Sequence, residues 1–171
     1  QRETVKRCVE RKAADMRAFF IKQVGLVRAE FEQRRTNPPI RSIEPQYAGS
    51  ALWAHSLFEM IKNDFVALAK VNHLLGDKEV EEYNETYHSF ATVMRDFKHQ
   101  RYQQWIEILN EQAKDNGLQL RLDQPILRRM VSEAPTKGSV DIICNFDEDL
   151  LALFSEVNYW EKFHGEFTIP Y

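Results

Sequence analysis

Residues 37–62 read NPPIRSIEPQYAGSALWAHSLFEMIK, and they contain the break that decides how the chain folds. Pro38 and Pro39 lack backbone N–H donors and push the preceding residue out of the helical region. The helix before them is therefore predicted to end near Thr36, and Pro45 repeats the stop signal. An apolar helical pattern follows immediately, so the chain is predicted to reverse between two long helices.

The segment before the break is predicted to be one long helix, because its apolar residues recur at three- and four-residue steps. They form one predicted core-facing stripe of Val5, Cys8, Val9, Met16, Phe19, Phe20, Val24, Val27 and Phe31. Residues 1–36 also hold ten Lys/Arg against five Asp/Glu. This excess fits either a solvated basic helix or a basic face for an acidic partner such as a tubulin surface.

The second helix is predicted over about residues 49–75, where Trp53, Leu57 and Ile61 recur at four-residue steps. Gly49, with Ala51, is expected to allow close helix approach while Trp53 is buried as a core anchor. Two isoleucines of the linker are expected to pack against the bundle, and these are Ile40 and Ile43.

The third helix is predicted to run to residues 115–116 and to carry a heptad-like seam. The seam consists of Val80, Tyr83, Tyr87, Phe90, Met94, Phe97, Arg101, Gln104 and Ile108. Residues 118–122 and 140–146 then alternate apolar with polar, which predicts a small antiparallel β element around a short helix or loop at 125–130. A last helix is predicted from residue 147, followed by an extended segment. The expected fold class is mainly α, a bundle of long helices.

Composition and motifs exclude several function classes. The chain has 171 residues, 43% hydrophobic and 12% aromatic, with only six glycines and six prolines, which favours long helices in a globular chain. No phosphate-binding loop, zinc-helix histidine spacing or catalytic elbow occurs, so no cofactor, metal or enzymatic activity is predicted. The basic residues do not interleave with stacking aromatics, and no apolar run has membrane-span length, so neither nucleic acid nor membrane is an expected partner.

The two cysteines, Cys8 and Cys144, lie far apart and match no metal-ligand or redox spacing. This usage favours a reduced intracellular setting, with a disulfide between them left open.

Two blocks of sequence resemble the tail of dynein heavy chains. The first block contains Pro38, Pro39, Pro45, Ala48, Gly49, Ala51, Trp53, Ala54, Leu57 and Ile61. The second contains Asn145, Phe146, Asp147, Leu150, Leu151, Glu156, Val157 and Pro170. Their order, about ninety residues apart, makes the pair more specific than either block alone, and the resemblance covers roughly residues 30–171. Gln46 and His55 depart from the family pattern, which has Pro and Arg there.

The resemblance implies a non-catalytic segment of an elongated, axonemal tail whose ATPase belongs to a separate AAA+ ring. It implies intermediate chains, light chains and other heavy chains as partners, an indirect link to microtubule doublets or docking proteins, and a location in the axoneme of cilia or flagella. The expected division of the chain is a basic helix at 1–36, a Pro-rich reversal with two helices at 37–116, a β element at 117–146, and a terminal helix with an extended segment at 147–171.

Three functional hypotheses remain at this point. A subunit-docking scaffold should keep apolar side chains exposed after its core is filled. The candidate contacts are Tyr102, Trp160, Phe163 and Phe167, although for each of them a place in the core is favoured over one in an interface. A passive structural spacer should lack a large exposed patch. An unrelated helical enzyme or metalloprotein should hold a metal or cofactor.

Overall fold

A computed structural model describes residues 2–114, 127–131, 140–144 and 148–169. Four helices carry most of these residues: α1 (Arg2–Arg34), α2 (Gln46–Ala69), α3 (Asp77–Lys114) and α4 (Glu148–Trp160). Short 3₁₀ turns follow α2 and α4 at Asn72–Leu74 and Glu161–Phe163. The predicted mainly α fold class is confirmed. The chain divides into two units, Gln1–Gln103 and Gln104–Tyr171.

The Pro-rich break separates α1 from α2, as the sequence predicts. Beyond the end of α1, the guanidinium of Arg101 donates a 2.9 Å hydrogen bond to the carbonyl oxygen of Arg35, which caps the exposed helix terminus. Pro45 is the N-cap of α2, with φ −68° and ψ 153°. Helix α2 therefore begins three residues earlier than predicted, because a proline can stand directly before the first helical turn. It also ends earlier, at Ala69.

The linker packs against α2 through only one of its two isoleucines. Ile40 is half-buried, whereas Ile43 is 76% exposed, so the prediction that Ile43 packs on the bundle is wrong. A local turn explains the difference: the Glu44 N–H donates to the Arg41 carbonyl at 2.9 Å, and the Arg41 N–H donates to the Glu44 carboxylate at 2.8 Å. These hydrogen bonds hold residues 41–44 in a tight loop with Ile43 at its exposed side.

Gly49 allows a close approach, but the neighbour is the linker and not the other helix that was predicted. A Cβ atom at Gly49 would lie 3.3 Å from Glu44 Cβ and 3.5 Å from Ile40 Cγ2. Gly25, in the middle of α1, has no such neighbour within 4 Å.

Replacing Gly25 with Ala is therefore expected to stabilise the chain by about 0.5–1 kcal/mol, because glycine costs that much in a helix interior. Gly49→Ala is the matched variant, and the crowding at its Cβ should remove most of the same gain. Urea unfolding of both variants measures the difference. A larger gain for Gly49→Ala than for Gly25→Ala would contradict the close packing of the linker.

The core of the first unit joins α1, α2 and α3. Its fully enclosed members include Phe20, Phe31, Ile61, Tyr83, Phe90 and Met94, each no more than 1% exposed. The seam of α3 is thus buried at its central positions, as predicted. The basic helix α1 packs on this same bundle, a point that the sequence leaves open.

Two aromatic triads fix the directions of the three helices. Phe20 of α1 lies 6.1 Å from Phe65 and 6.3 Å from Tyr83, measured between ring centroids. Eleven residues later, Phe31 lies 5.7 Å from Trp53 and 5.1 Å from Phe97. From Phe20 to Phe31, the contacted ring in α2 moves back from residue 65 to residue 53, whereas the contacted ring in α3 moves forward from residue 83 to residue 97. Helix α2 therefore runs antiparallel to α1, and α3 runs parallel to it.

Trp53 is half-buried, so the prediction that the core encloses it is wrong. Its ring stacks on Phe31 with an interplanar angle of 19° and meets Phe97 edge-on at 6.3 Å. One face of the indole therefore belongs to the core, and the residues that are fully enclosed around it are alanines, Ala51 and Ala54.

The second unit contains an aromatic cluster around Trp160, which is 1% exposed. Its ring centroid lies 5.8 Å from Trp105, 5.5 Å from Phe163 and 4.9 Å from Phe167. His164 (φ 52°) and Gly165 (φ 87°) are both left-handed, which reverses the chain after the 3₁₀ turn and brings Phe167 back to Trp160. The segment after α4 is therefore a turn at this point and not the extended chain that was predicted.

An antiparallel strand pair lies between α3 and α4 in the sequence. Strand β1 (Leu127–Val131) pairs with β2 (Val140–Cys144), with Leu127 opposite Cys144 and Val131 opposite Val140. Strand β2 falls in the segment with alternating residues. Strand β1 occupies residues predicted as a short helix or loop, and its apolar residues show no period of two, so pairing with β2 defines it. The alternating residues 118–122 lie outside the described part of the chain.

Candidate docking surface

Helix α1 carries two apolar faces. The first is buried in the bundle and consists of Ala13, Phe20, Val24, Val27 and Phe31. The second is exposed and consists of Val5 (63%), Val9 (42%), Met16 (40%), Phe19 (55%) and Leu26 (55%). The single core-facing stripe predicted from the sequence is therefore wrong. Successive helical residues lie roughly 100° apart, so α2 and α3 can cover Phe20 and leave Phe19 in solvent.

We call Val5, Val9, Met16, Phe19 and Leu26 the exposed seam. With Lys12 and Gln23 included, its positions follow alternating steps of four and three residues, which is the spacing of a helix-pairing stripe. From Val5 to Leu26 the seam extends over about 32 Å at ~1.5 Å per residue. Leu26 is the member that the sequence interpretation missed, and the alternating spacing is the signal that identifies it.

The middle of the exposed seam borders a cleft between α1 and α2. The cleft has a volume of about 380 Å³. It is lined by Lys12, Asp15, Met16, Phe19, Phe20, Asp64, Ala67 and Leu68. Buried Phe20 and Leu68 form its floor, while Met16 and Phe19 form one wall. The arrangement is that of a groove between two antiparallel helices, able to accept the apolar edge of a third.

Positive charge is concentrated beside the first part of the exposed seam. Residues 2–12 contain five basic residues against two acidic ones, a net charge of +3. Lys6 pairs with Glu10 at 3.9 Å and Arg7 with Glu3 at 3.8 Å. The excess charge therefore lies on Arg2, Arg11 and Lys12.

The opposite side of α1 faces an acidic helix of the same chain. Arg17 contacts Glu79 at 3.4 Å and also pairs with Glu82, both in the first turns of α3. Glu79 additionally accepts a 3.0 Å hydrogen bond from the Gly76 N–H and so caps α3. Within this fold, the basic helix α1 therefore already packs against one acidic helix, α3.

The residues of the first sequence block lie around the reversal. Pro38 and Pro45 are half-buried, Pro39 is exposed, and Gly49 is buried. Leu57, which is 6% exposed, belongs to the three-helix core. The block therefore builds the turn between α1 and α2 and the start of α2.

The second sequence block is described only in part. Glu156 is buried on α4, with 6% exposure. Four further positions of the block, Asn145, Phe146, Asp147 and Pro170, lie outside the described residues.

The candidate contact residues form an internal cluster and not a surface. Trp160 (1%), Phe163 (7%) and Phe167 (7%) are buried, and Tyr102 is half-buried. At the first three positions the structure has the core packing that the sequence favours over an interface, because the turn after α4 folds the rings onto one another. Five of the ten exposed large apolar side chains in the described residues lie on α1 instead.

Grouped metal ligands and membrane-spanning helices are absent from the described ranges. Within residues 2–114, 127–131, 140–144 and 148–169, no three His, Cys, Asp or Glu side chains are grouped to hold a metal ion. In those same ranges no helix has both the length and the hydrophobicity to cross a membrane. Cys8 is an exposed free thiol.

Comparison with known proteins assigns the chain to a family. The family described as "Dynein heavy chain, N-terminal region 1" matches residues 1–171. The chain belongs to this family. The matched region is part of the N-terminal tail of dynein heavy chains and is distinct from their AAA+ motor domain.

Individual relatives are axonemal dynein heavy chains. The chain is 31% identical over 161 residues to human "Dynein axonemal heavy chain 2", covering 94% of this chain and 3% of the relative. It is 29% identical over 170 residues to "Dynein gamma chain, flagellar outer arm" of Chlamydomonas reinhardtii, covering 99% of this chain and 4% of the relative. The chain therefore spans only 3–4% of the length of these curated relatives and matches one segment of them.

Proposed function

We propose that the chain is a non-catalytic scaffold segment of an axonemal dynein heavy chain. In this role it binds intermediate or light chains, or a neighbouring heavy chain, and helps to link the motor to its attachment on the axonemal microtubule doublet. Its place of action is the axoneme of a cilium or flagellum. Family membership supports the tail assignment.

The exposed seam is the observation that carries the docking role. Helices α1, α2 and α3 already enclose a core with two aromatic triads, so the seam is surplus to the stability of the bundle. Five large apolar side chains between 40% and 63% exposed lie along one helix face, interrupted by Lys12 and Gln23, and exposed apolar surface of this kind marks interaction sites.

A passive spacer is the second candidate, and the aromatic cluster of the second unit favours it. Trp160, Phe163 and Phe167 pack on one another inside the second unit, so these three rings are not available to a partner. A spacer needs stiff, well-packed helices and no dedicated partner.

Co-purification from ciliary extract tests the docking role. The tagged chain is expected to recover dynein intermediate chains, light chains or heavy chains, identified by mass spectrometry. The variant Met16→Asp/Phe19→Asp should lose them, because it places two charges in the exposed seam.

Ile43→Asp is the matched control, since it changes an isoleucine that is 76% exposed on the linker, away from the seam. Recovery of dynein subunits should persist in this variant. A folded chain that recovers no dynein subunit would favour the spacer.

A further inference from the structure

We infer that the exposed seam of α1 is the binding site for an amphipathic α-helix of a separate polypeptide, with carboxylates concentrated at the end that lies over residues 2–12. The inference rests on the proposed function, because it specifies the partner chemistry of the docking role. It adds the partner's secondary structure, its charge and the position of that charge.

The geometry of the seam favours a helix as its partner. Alternating four- and three-residue steps are the spacing at which the side chains of one helix enter gaps on another. The seam extends over about 32 Å, the length of a roughly 21-residue helix. The cleft beside Met16 and Phe19 supplies a second wall from α2, through Asp64 and Ala67. An incoming helix would therefore contact both α1 and α2.

The charges around the seam select an acidic partner. Arg2, Arg11 and Lys12 give the first part of α1 its excess positive charge, and Lys12 stands within the seam itself. Two carboxylates, Asp15 and Asp64, line the cleft further along. Partner carboxylates are thus favoured beside residues 2–12 and disfavoured beside the cleft, which gives the bound helix a defined end-to-end placement.

A second copy of the chain is opposed by the same charges. Parallel pairing of two α1 helices would place two segments of net charge +3 beside each other. Antiparallel pairing would place residues 2–12 beside residues 19–29, which contain Lys22 and Arg28 and no carboxylate, and either arrangement sets a lysine in each seam. Within this chain, by contrast, α1 packs beside a helix of opposite charge, where Arg17 contacts Glu79 and Glu82.

Fluorescence anisotropy with a synthetic peptide tests the inference. The probe is a labelled amphipathic peptide of about 21 residues, three heptads long, with Leu in its apolar stripe and Glu at the flanking positions of its first half. The control peptide has Lys in place of each Glu. The acidic peptide is expected to bind at least about tenfold more tightly than the control at low salt, and the difference should shrink as salt screens the charges.

Three variants locate the site. Met16→Asp/Phe19→Asp should weaken binding of the acidic peptide by at least about tenfold, as expected for central contacts. Arg11→Gln/Lys12→Gln should remove most of the preference for the acidic peptide over the basic one. Ile43→Asp, outside the seam, should change neither quantity. Far-ultraviolet circular dichroism confirms that each variant is folded.

Several results would overturn the inference: equal binding of both peptides, unchanged binding by the seam variant, or a dimer in sedimentation that Met16→Asp/Phe19→Asp abolishes. The last result would assign the seam to a second copy. Failure of the inference can be separated from failure of the proposed function. Recovery of dynein subunits that persists in the seam variant overturns the site and retains the function. Seam-dependent peptide binding without recovery of any dynein subunit retains the site and overturns the function.

Discussion

Replacing Phe20 with Ala is expected to lower the free energy of unfolding by about 3–5 kcal/mol. Phe20 is 1% exposed and is the residue of α1 that meets both Phe65 of α2 and Tyr83 of α3. The loss combines the transfer free energy of the ring with the cavity left at the junction of three helices. Because natural domains are stable by only about 5–15 kcal/mol, this variant should lie close to unfolding at room temperature. Urea titration followed by circular dichroism measures the loss.

Phe19→Ala is the control at the adjacent position, with the same residue type in the same helix. Phe19 is 55% exposed, and its removal should change the unfolding free energy by less than about 1 kcal/mol. Equal losses in the two variants would show that α1 is packed in a different rotation, and the exposed seam would then be misplaced as well.

Replacing Trp160 with Ala is expected to lower the free energy of unfolding of the second unit by a similar amount, about 3–5 kcal/mol. The indole contacts three other aromatic rings, two of which, Phe163 and Phe167, are held in place by the turn at His164 and Gly165. Its removal takes away the centre of the cluster. Hydrogen exchange is the suitable measurement, because the backbone amides of α4 report the stability of this unit directly.

The control for Trp160 is Phe154→Ala on the same helix. Phe154 is 50% exposed, so protection of the α4 amides should change little. Unaltered protection in Trp160→Ala would show that the aromatic cluster does not stabilise the second unit.

The helices were predictable because their signals are local. Pro38, Pro39 and Pro45 end one helix and precede the next whatever the tertiary contacts are. The α3 seam from Tyr83 to Phe97 repeats often enough to define the buried face of its helix. Strand β1 was missed because its partner β2 defines it, and no residue within 127–131 signals that pairing.

The exposed seam, unlike the helices, could not be predicted from the sequence. Apolar residues on α1 are visible in the sequence, but which of them α2 and α3 cover depends on helix rotation. Phe19 and Phe20 are chemically identical neighbours, and only the packing makes one core and the other surface. For the aromatics near residue 160 the sequence favours the core over an interface, but only the left-handed turn at His164 shows how they are brought together.

The short linker between α1 and α2 has a consequence for the order of folding. Only residues 35–45 separate the two helices, so the loop entropy lost when they meet is small, and Phe31 can reach Trp53 soon after both segments exist. Helix α3 must arrive from further along the chain to supply Tyr83 and Phe97. During synthesis an α1–α2 hairpin would therefore form first, and its apolar face would stay exposed until α3 packs on it. The nascent segment is most prone to aggregation in that interval.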